Sequence, residues 1–142
     1  MKIKKHASAA WKGGLKDGKG SISTESGALA AYPYGFAARF EGMRGTNPEE
    51  LLGAAHAGCF TMALSLILGE AGFTAEQMDT TAEVTLEQVE GGFAITAVLL
   101  TLKAKIPGID AATFQTLAGK AKAGCPLSKV IKADITLNAS LV

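Results

Sequence analysis

Residues 53–69 read GAAHAGCFTMALSLILG, a stretch that contains no Asp, Glu, Lys or Arg. The sequence TNPEE just before it offers two overlapping helix starts: a capping box that begins at Thr46, or Asn47 as the cap with Pro48 at the first helical position. We therefore predict a long helix that begins here and ends near Gly69 to Gly72. Because this helix is apolar almost all round, it must be covered on every side, and its small residues permit close backbone approach. A second copy of the same helix would supply the cover, so the sequence predicts a homodimer with this helix in the shared core.

The same helix is also long enough to cross a membrane, since residues 51–68 would span about 27 Å. However, the flanks TNPEE and GEAG carry acidic residues and no basic anchors, and the first half is rich in Gly and Ala rather than Leu. Alternating strand patterns surround it. We therefore expect the core helix of a soluble protein and no membrane partner.

Length, charge and cysteine content narrow the class of protein. A chain of 142 residues without repeats or linkers is expected to form one domain over residues 1–142. Fourteen basic and thirteen acidic residues give a net charge of +1, and the lysines are scattered, so nothing selects nucleic acid. Two cysteines are too few for a secreted disulfide framework, and the basic start runs into HASAAWKGG rather than an apolar signal segment. We expect a cytoplasmic protein.

The first third of the chain predicts short strands. Residues 6–11 and 20–24 are expected to pair across a turn that contains Asp17-Gly18, a dipeptide that readily supplies positive φ. After a loop with the sequence PYG, residues 36–41 alternate between apolar and less apolar side chains. This alternation predicts another strand, with Arg39 projecting from its less apolar side.

The rest of the chain predicts a hairpin, helices and a last strand. Period-two alternation, helix caps and turn residues mark these elements. They are a hairpin over residues 82–106 that turns at Gly91-Gly92, a helix from its Asp110 cap to Gly124, a short helical turn through Val130, and a closing strand over residues 135–141. The predicted fold class is α+β with a mainly antiparallel sheet.

The two cysteines occupy different kinds of position. Cys59 lies on one helical stripe with Leu52, Met62 and Leu66, so its spacing alone favours a packed thiol. Cys125 follows a helix stop and precedes a proline, where free backbone N–H groups favour a thiolate; the alternative is a buried loop thiol. The pair suits a nucleophile and a resolving thiol only if folding brings the two together, which sequence separation does not show.

His56 supports two competing hypotheses. It lies on the same helix face as Cys59, and with Cys125 and His6 it could complete a set of four zinc ligands, although no CxxC or HxxxH spacing supports this. It could also serve as the base of a thiol hydrolase in which Cys59 is the nucleophile. A histidine on an apolar helix is more often hydrogen-bonded within a core.

Three segments of the sequence occur in a fixed order: PYGFAARFEG, TNPEELLGAAHAGCF and AGCPLSKV. In this order and at these separations, the sequence closely resembles the osmotically inducible protein C (OsmC) family, part of the wider OsmC/Ohr group of thiol peroxidases. The resemblance runs essentially end to end and includes STESG at 23–27 and PGIDAATF at 107–114. It implies a bacterial cytoplasmic homodimer in which two long central helices are wrapped by sheets built from both chains. It also implies active sites at the subunit interface that reduce peroxides, organic hydroperoxides especially.

Position by position, the resemblance makes Cys59 the peroxidatic cysteine and Cys125 the resolving cysteine, with Arg39 and Glu49 as their polar partners. Taken alone, Arg39 would be a solvated strand residue and Glu49 a capping-box acid. In the Ohr branch the arginine comes from an earlier part of the chain, so the position of Arg39 favours the OsmC branch. The family also suggests a lipoyl-type external dithiol as reductant, and no cofactor or metal is predicted.

Physical chemistry gives these residues their roles. A free thiol has a pKa of about 8.5, and burial in an apolar pocket reduces the thiolate fraction further. The guanidinium of Arg39 near the sulfur would lower that pKa and donate hydrogen bonds to the peroxide oxygens, while the Glu49 carboxylate would hold it by a bidentate pair. An apolar wall from Phe60, Met62 or Phe40 would suit an alkyl or fatty-acid hydroperoxide.

Helix geometry restricts how these residues meet. Glu49 and Cys59 are separated by about 15 Å along one straight helix and by roughly 80° around it. Either Arg39 bridges that span, or Glu49 and Arg39 come from the other subunit across an antiparallel helix pair, which we favour. Two functional alternatives stay open: a redox-sensing or binding protein whose thiols oxidise without turnover, and the thiol hydrolase.

Overall fold

Two units, Met1–Pro48 and Glu49–Val142, make up the fold in a computed structural model that describes all residues from Met1 to Val142. Together they contain two three-stranded sheets and four helices, so the predicted α+β class is confirmed. The prediction of one domain over residues 1–142 stays a prediction.

The first unit is built on a small antiparallel sheet. Its strands, in the spatial order β1-β2-β3, are β1 (Ala7–Lys12), β2 (Lys19–Thr24) and β3 (Tyr32–Tyr34). The first two confirm the predicted strands, whereas β3 falls where a loop was expected. Thr46 is the only fully buried residue of this unit, so the unit has no apolar core of its own.

The strand predicted over residues 36–41 is wrong, because this segment forms a short helix, α1 (Phe36–Phe40). The apolar alternation over so few residues also places Phe36 and Phe40 one helical turn apart, and their rings pack with centroids 5.0 Å apart. Arg39 therefore lies in the last turn of a helix, not on a strand. Its guanidinium carbon stands 5.4 Å from the centroid of the Phe40 ring.

The long apolar helix is confirmed as α2 (Pro48–Glu70), with the proline at its first position. At its other end Gly72 adopts a positive φ of 87°, and the N–H of Phe73 donates to the carbonyl of Leu68 at 2.8 Å. The Gly72 N–H donates to the carbonyl of Gly69 at 3.1 Å. These two bonds form a Schellman cap, which satisfies the last carbonyls and turns the chain into the next strand.

The second unit forms a sheet with helices on one face. Its elements are β4 (Gln77–Val89), β5 (Gly92–Lys105), α3 (Ala111–Gly124), α4 (Pro126–Val130) and β6 (Asp134–Leu141). In the order β4-β5-β6, the first pair is antiparallel and the second parallel. The predicted hairpin, helices and closing strand are confirmed. The last strand is parallel because two helices carry the chain back before it enters the sheet.

Alternate residues of β5 form the floor of the core. Val98, Leu100, Leu102 and Ala104 are fully buried there. They belong to one cluster with Phe60, Leu64 and Leu68 of α2 and with Phe114, Leu117 and Ala121 of α3. A Cβ on Gly53 would stand 3.4 Å from the carbonyl oxygen of Ala82, so the first half of α2 passes close to β4.

The opposite face of α2 is uncovered within the chain. Met62 is 76% exposed and Leu66 64% exposed. By length and composition α2 could cross a membrane, with a mean hydropathy of 1.8 over an 18-residue window of which 28% is buried. Its own chain therefore covers only one side of the helix.

Two exposed glycines of the second unit provide a test of this backbone. Gly108 has a positive φ of 80°, whereas Gly119 is inside α3, and an added Cβ meets nothing within 4 Å at either position. Gly119→Ala should raise the free energy of unfolding by about 1 kcal/mol, because alanine favours helix. Gly108→Ala should lower it by about 1 kcal/mol, because an L side chain is strained at positive φ. Urea denaturation measures both, and a shift of the same sign in the two variants would contradict the assigned conformations.

Candidate functional site

Cys59 lies at the border between the buried and the uncovered faces of α2. It is half-buried and packs against the core cluster of the second unit. Its neighbour Phe60 is fully buried, whereas Met62, one turn further on, is exposed. Of the predicted stripe, Met62 and Leu66 lie on the uncovered face, and the Cys59 thiol is not sealed within the core.

Cys125 is the single residue that joins α3 to α4. Its backbone N–H donates to the carbonyl of Ala121 at 3.0 Å and closes the last turn of α3. Its sulfur caps α4 by accepting from the backbone N–H of Ser128 at 3.3 Å, and Pro126 occupies the first helical position. The side chain is fully buried. This agrees with the predicted helix boundary, where N–H groups face the sulfur.

The fold brings the two thiols together. The Cys125 side chain lies close enough to the Cys59 thiol to affect its pKa, and both cysteines are free. Burial raises the pKa of Cys59, the backbone N–H of Leu127 lowers it, and the nearby Cys125 raises it again; the net direction is upward. Within one chain the site therefore holds Cys59 mainly as a thiol.

His56 is fully buried on α2 and bonds away from Cys59. Its Nε2 lies 2.8 Å from the hydroxyl oxygen of Ser128, its Nδ1 has no partner, and burial lowers its pKa. Neither ring nitrogen is bonded to the Cys59 sulfur, so His56 is not in the position that the base of a thiol hydrolase at Cys59 would take. No group of three or more His, Cys, Asp or Glu side chains is arranged to hold a metal ion.

Ser128 is a site residue that the sequence reasoning missed. Its hydroxyl oxygen lies 3.1 Å from the Cys125 sulfur and also bonds His56, so it links the two buried groups. The signal was the spacing Cys-Pro-x-Ser, in which a capping residue, a proline and the third helical residue follow one another. The link to His56 is a tertiary contact that spacing does not contain.

Arg39 and Glu49 belong to different units. Arg39 lines an apolar cavity of about 190 Å³ within the first unit, together with Trp11, Leu15, Tyr34, Gly35, Phe36, Phe40 and Pro48. Glu49 is buried, 8% exposed, in the first turn of α2. Since α2 is one continuous helix, the predicted separation of Glu49 from Cys59 along its axis holds. The assembly of Arg39 and Glu49 with Cys59 stays a prediction.

Of the apolar wall expected from Phe60, Met62 or Phe40, the prediction for Phe60 is wrong and the other two stay predictions. Phe60 is fully buried in the core and offers no surface to a substrate. Phe40 lines the cavity that contains Arg39. Met62 is exposed and lines an open groove along α2.

Known proteins share this arrangement of sequence and fold. A family model described as "OsmC-like protein" matches residues 40–140. Peroxiredoxin OsmC of Escherichia coli (strain K12) is 60% identical over 141 residues, which cover 99% of either chain. An organic hydroperoxide resistance protein of Xanthomonas axonopodis pv. citri (strain 306) is 33% identical over 103 residues, 68% of this chain and 67% of that protein. The crystal structure of an organic hydroperoxide resistance protein OsmC from Legionella pneumophila matches with a TM-score of 0.71 and 27% identity, covering 99% of this chain and 98% of that one.

The contact between the thiols predicts a shift in the reactivity of Cys59. Because Cys125 contributes to raising the pKa of Cys59, Cys125→Ala should lower that pKa and increase the thiolate fraction at a given pH. The rate of alkylation by iodoacetamide, followed by mass spectrometry of the Cys59 peptide, should then reach its half-maximum at a lower pH than in the wild type. Thr116→Ala, which removes an exposed hydroxyl from α3, serves as the control. An unchanged or higher midpoint would contradict the contact.

Proposed function

The chain belongs to the OsmC family, and from this premise we propose that it reduces organic hydroperoxides with Cys59 as the attacking thiolate and Cys125 as the resolving thiol. The class of activity is that of a thiol-dependent peroxidase, the class named by the relative that it matches at 60% identity over 99% of both chains. The observation that supports the assignment of residues is the proximity of the Cys59 and Cys125 thiols at one core cluster, where Cys125 affects the pKa of Cys59.

The proposed cycle has three steps. The Cys59 thiolate attacks the O–O bond of the hydroperoxide, the bond breaks, and the product alkoxide takes a proton to leave as an alcohol while Cys59 becomes a sulfenic acid. The Cys125 sulfur then displaces the hydroxyl group of the sulfenic acid, which leaves as water, and a Cys59–Cys125 disulfide forms. An external dithiol supplies two electrons and two protons to reopen it by exchange. We propose a lipoyl-type dithiol for this last step.

Arg39 is proposed to supply the charge that the first step needs. Since burial and the neighbouring thiol raise the pKa of Cys59 within one chain, a cation must offset them for a thiolate to form. A guanidinium does this and can also donate hydrogen bonds to the departing oxygen. The aromatic cavity around Arg39 would accept the organic group of the peroxide. Glu49 is proposed to orient the guanidinium.

A second copy of the chain is proposed to complete the site. The exposed face of α2 borders an open groove of about 560 Å³ whose lining includes Ala57, Gly58, Met62 and Ser65. Small residues along this face allow a second helix to approach closely, and its apolar character requires cover. The first unit, in which Thr46 alone is buried, requires cover as well. We therefore propose a soluble, cytoplasmic homodimer with antiparallel central helices.

The two cysteines should separate the steps of the cycle. Wild-type protein with dihydrolipoate should consume cumene hydroperoxide continuously, because each disulfide is reopened. Cys59→Ser should fall to the background rate, since no other thiolate can attack. Without the dithiol, Cys125→Ser should consume about one equivalent per chain and stop at a sulfenic acid that dimedone traps. Peroxide loss and intact-protein mass measure both variants.

The same assay distinguishes the alternatives. Full turnover by Cys59→Ser would contradict the assignment of the nucleophile. Stoichiometric oxidation of the wild type that no dithiol reverses would identify a redox sensor instead. A rate with hydrogen peroxide above that with cumene hydroperoxide would contradict the proposed organic substrate.

Heterodimers should reveal whether Arg39 acts across the interface. Cys59→Ser and Arg39→Met should each be inactive as homodimers. If the arginine of one subunit serves the cysteine of the other, a co-expressed heterodimer of the two variants contains one intact site and should show about half of the wild-type activity. Differently tagged chains allow the heterodimer to be purified and its turnover measured.

A matched pair controls this experiment. Cys59 and Cys125 meet within one chain, so a heterodimer of Cys59→Ser with Cys125→Ser should form no disulfide within a subunit and should not turn over. Absence of activity in the first heterodimer as well would show that Arg39 serves its own chain. A monomer in size-exclusion chromatography would contradict the proposed dimer itself.

A further inference from the structure

Ser128 connects the Cys125 sulfur to a buried histidine. Its backbone N–H donates to the sulfur at 3.3 Å, and its hydroxyl oxygen lies 3.1 Å from the same sulfur. The hydroxyl oxygen also lies 2.8 Å from Nε2 of His56, which is 0% exposed. A chain of hydrogen bonds thus runs from α2 through α4 to the thiol that the proposed cycle uses second.

The ring of His56 determines the direction of this chain. A buried neutral imidazole carries one proton, and Nδ1 has no partner. A proton on Nδ1 would leave a buried donor unsatisfied, whereas a proton on Nε2 is donated to the Ser128 oxygen. We assign the Nε2–H tautomer from this network. The Ser128 hydroxyl can then donate its proton to the Cys125 sulfur. His56 thus donates to Ser128 and Ser128 donates to Cys125, so both hydrogen bonds run in the same direction along the chain of groups.

We infer that Ser128 and His56 form a relay that orients Cys125 and stabilises negative charge on its sulfur while it attacks the oxidised Cys59; this rests on the proposed function. The two Ser128 donors hold the Cys125 sulfur in place beside Cys59. During the attack the S–S bond forms and the S–O bond of the sulfenic acid breaks. The Cys125 thiol proton passes to the departing hydroxide to give water, and the electron pair that it leaves on the sulfur forms the S–S bond.

The relay assigns distinct roles to its two members. Ser128 touches a reacting atom, so it is a catalytic residue of the second step. His56 acts through the Ser128 hydroxyl and is a positioning residue. If Ser128 and His56 had only a structural role, their removal would disturb Cys59 and Cys125 alike, because both cysteines belong to the same part of the fold. Loss of the relay should instead slow disulfide formation more than it slows the oxidation of Cys59.

The test measures both steps in one experiment. Reduced protein is mixed rapidly with cumene hydroperoxide; peroxide loss gives the rate of Cys59 oxidation, and quenching with N-ethylmaleimide before mass analysis gives the rate of disulfide formation. Ser128→Ala should lower the ratio of the second rate to the first by about 10-fold, the effect of losing a hydrogen bond to a charged atom. His56→Leu should lower it by about 3-fold, because it weakens the same bond indirectly.

Conservative variants provide the readout that a structural role would not give. Ser128→Thr keeps the hydroxyl, and His56→Gln keeps an N–H donor near the position of Nε2, so both should recover most of the ratio. Thr116→Ala, the loss of an exposed hydroxyl from α3, is the control. Should Ser128→Ala fail to fold, the comparison of His56→Leu with His56→Gln makes the same test.

Two results would overturn the relay. One is an unchanged ratio in Ser128→Ala and His56→Leu; the other is an equal loss in the conservative and the nonconservative variants. The failure of the proposed function has a different signature, which lies in the wild type itself: it would form no Cys59–Cys125 disulfide with peroxide, or would form one that no dithiol reopens.

Discussion

The packing of α2 on one face of the β4-β5-β6 sheet is the constraint on which the rest of the structure depends. Every second residue of β5 from Val98 to Ala104 is buried in one cluster with Phe60, Leu64 and Leu68 of the helix, and this fixes the rotation of α2 about its axis. The rotation places Cys59 at the edge of the core, half-buried. Had the helix turned so that Cys59 took the place of Phe60, its sulfur would be out of reach of any substrate. The uncovered face that results exposes apolar side chains, so the packing that positions the thiol also creates the requirement for a partner.

The chemistry of Cys59 is a balance between burial and polar neighbours. Burial and Cys125 raise its pKa, and one backbone N–H, from Leu127, lowers it. That N–H is available because Cys125 ends α3 and begins α4, which leaves the first N–H groups of the short helix directed at the two sulfurs. A single residue therefore supplies the second thiol and also arranges the donors beside the first. The net upward direction means that one chain alone does not ionise Cys59 readily.

Local sequence signals predicted most helices and strands. The features that they did not predict depend on tertiary contacts or on patterns that fit more than one structure. The sequence TNPEE located the start of α2, and Asp110 located that of α3, whose N–H at Thr113 it caps at 2.8 Å. Residues 36–41 were misassigned because an alternating pattern over one turn and a half also satisfies the helical spacing of Phe36 and Phe40. The contact of His56 with Ser128 joins residues far apart in sequence, so no local pattern contains it. The resemblance to the family named Cys59 and Cys125; only folding brought them together.

The proposed site takes Arg39 from the first unit and the two thiols from the second. The reactivity of Cys59 therefore depends on the assembly of the proposed dimer. A buried thiol with a raised pKa is nearly inert toward peroxide, and a guanidinium reverses this only where the thiol and the cation are desolvated together. On the proposed arrangement, an unassembled chain would carry both cysteines in contact but without the charge that starts the reaction. The second step differs, because its relay lies wholly within the second unit of one chain and needs no partner. Dimerisation would thus control the oxidation of Cys59 but not the formation of the disulfide, which makes the two halves of the cycle physically separable.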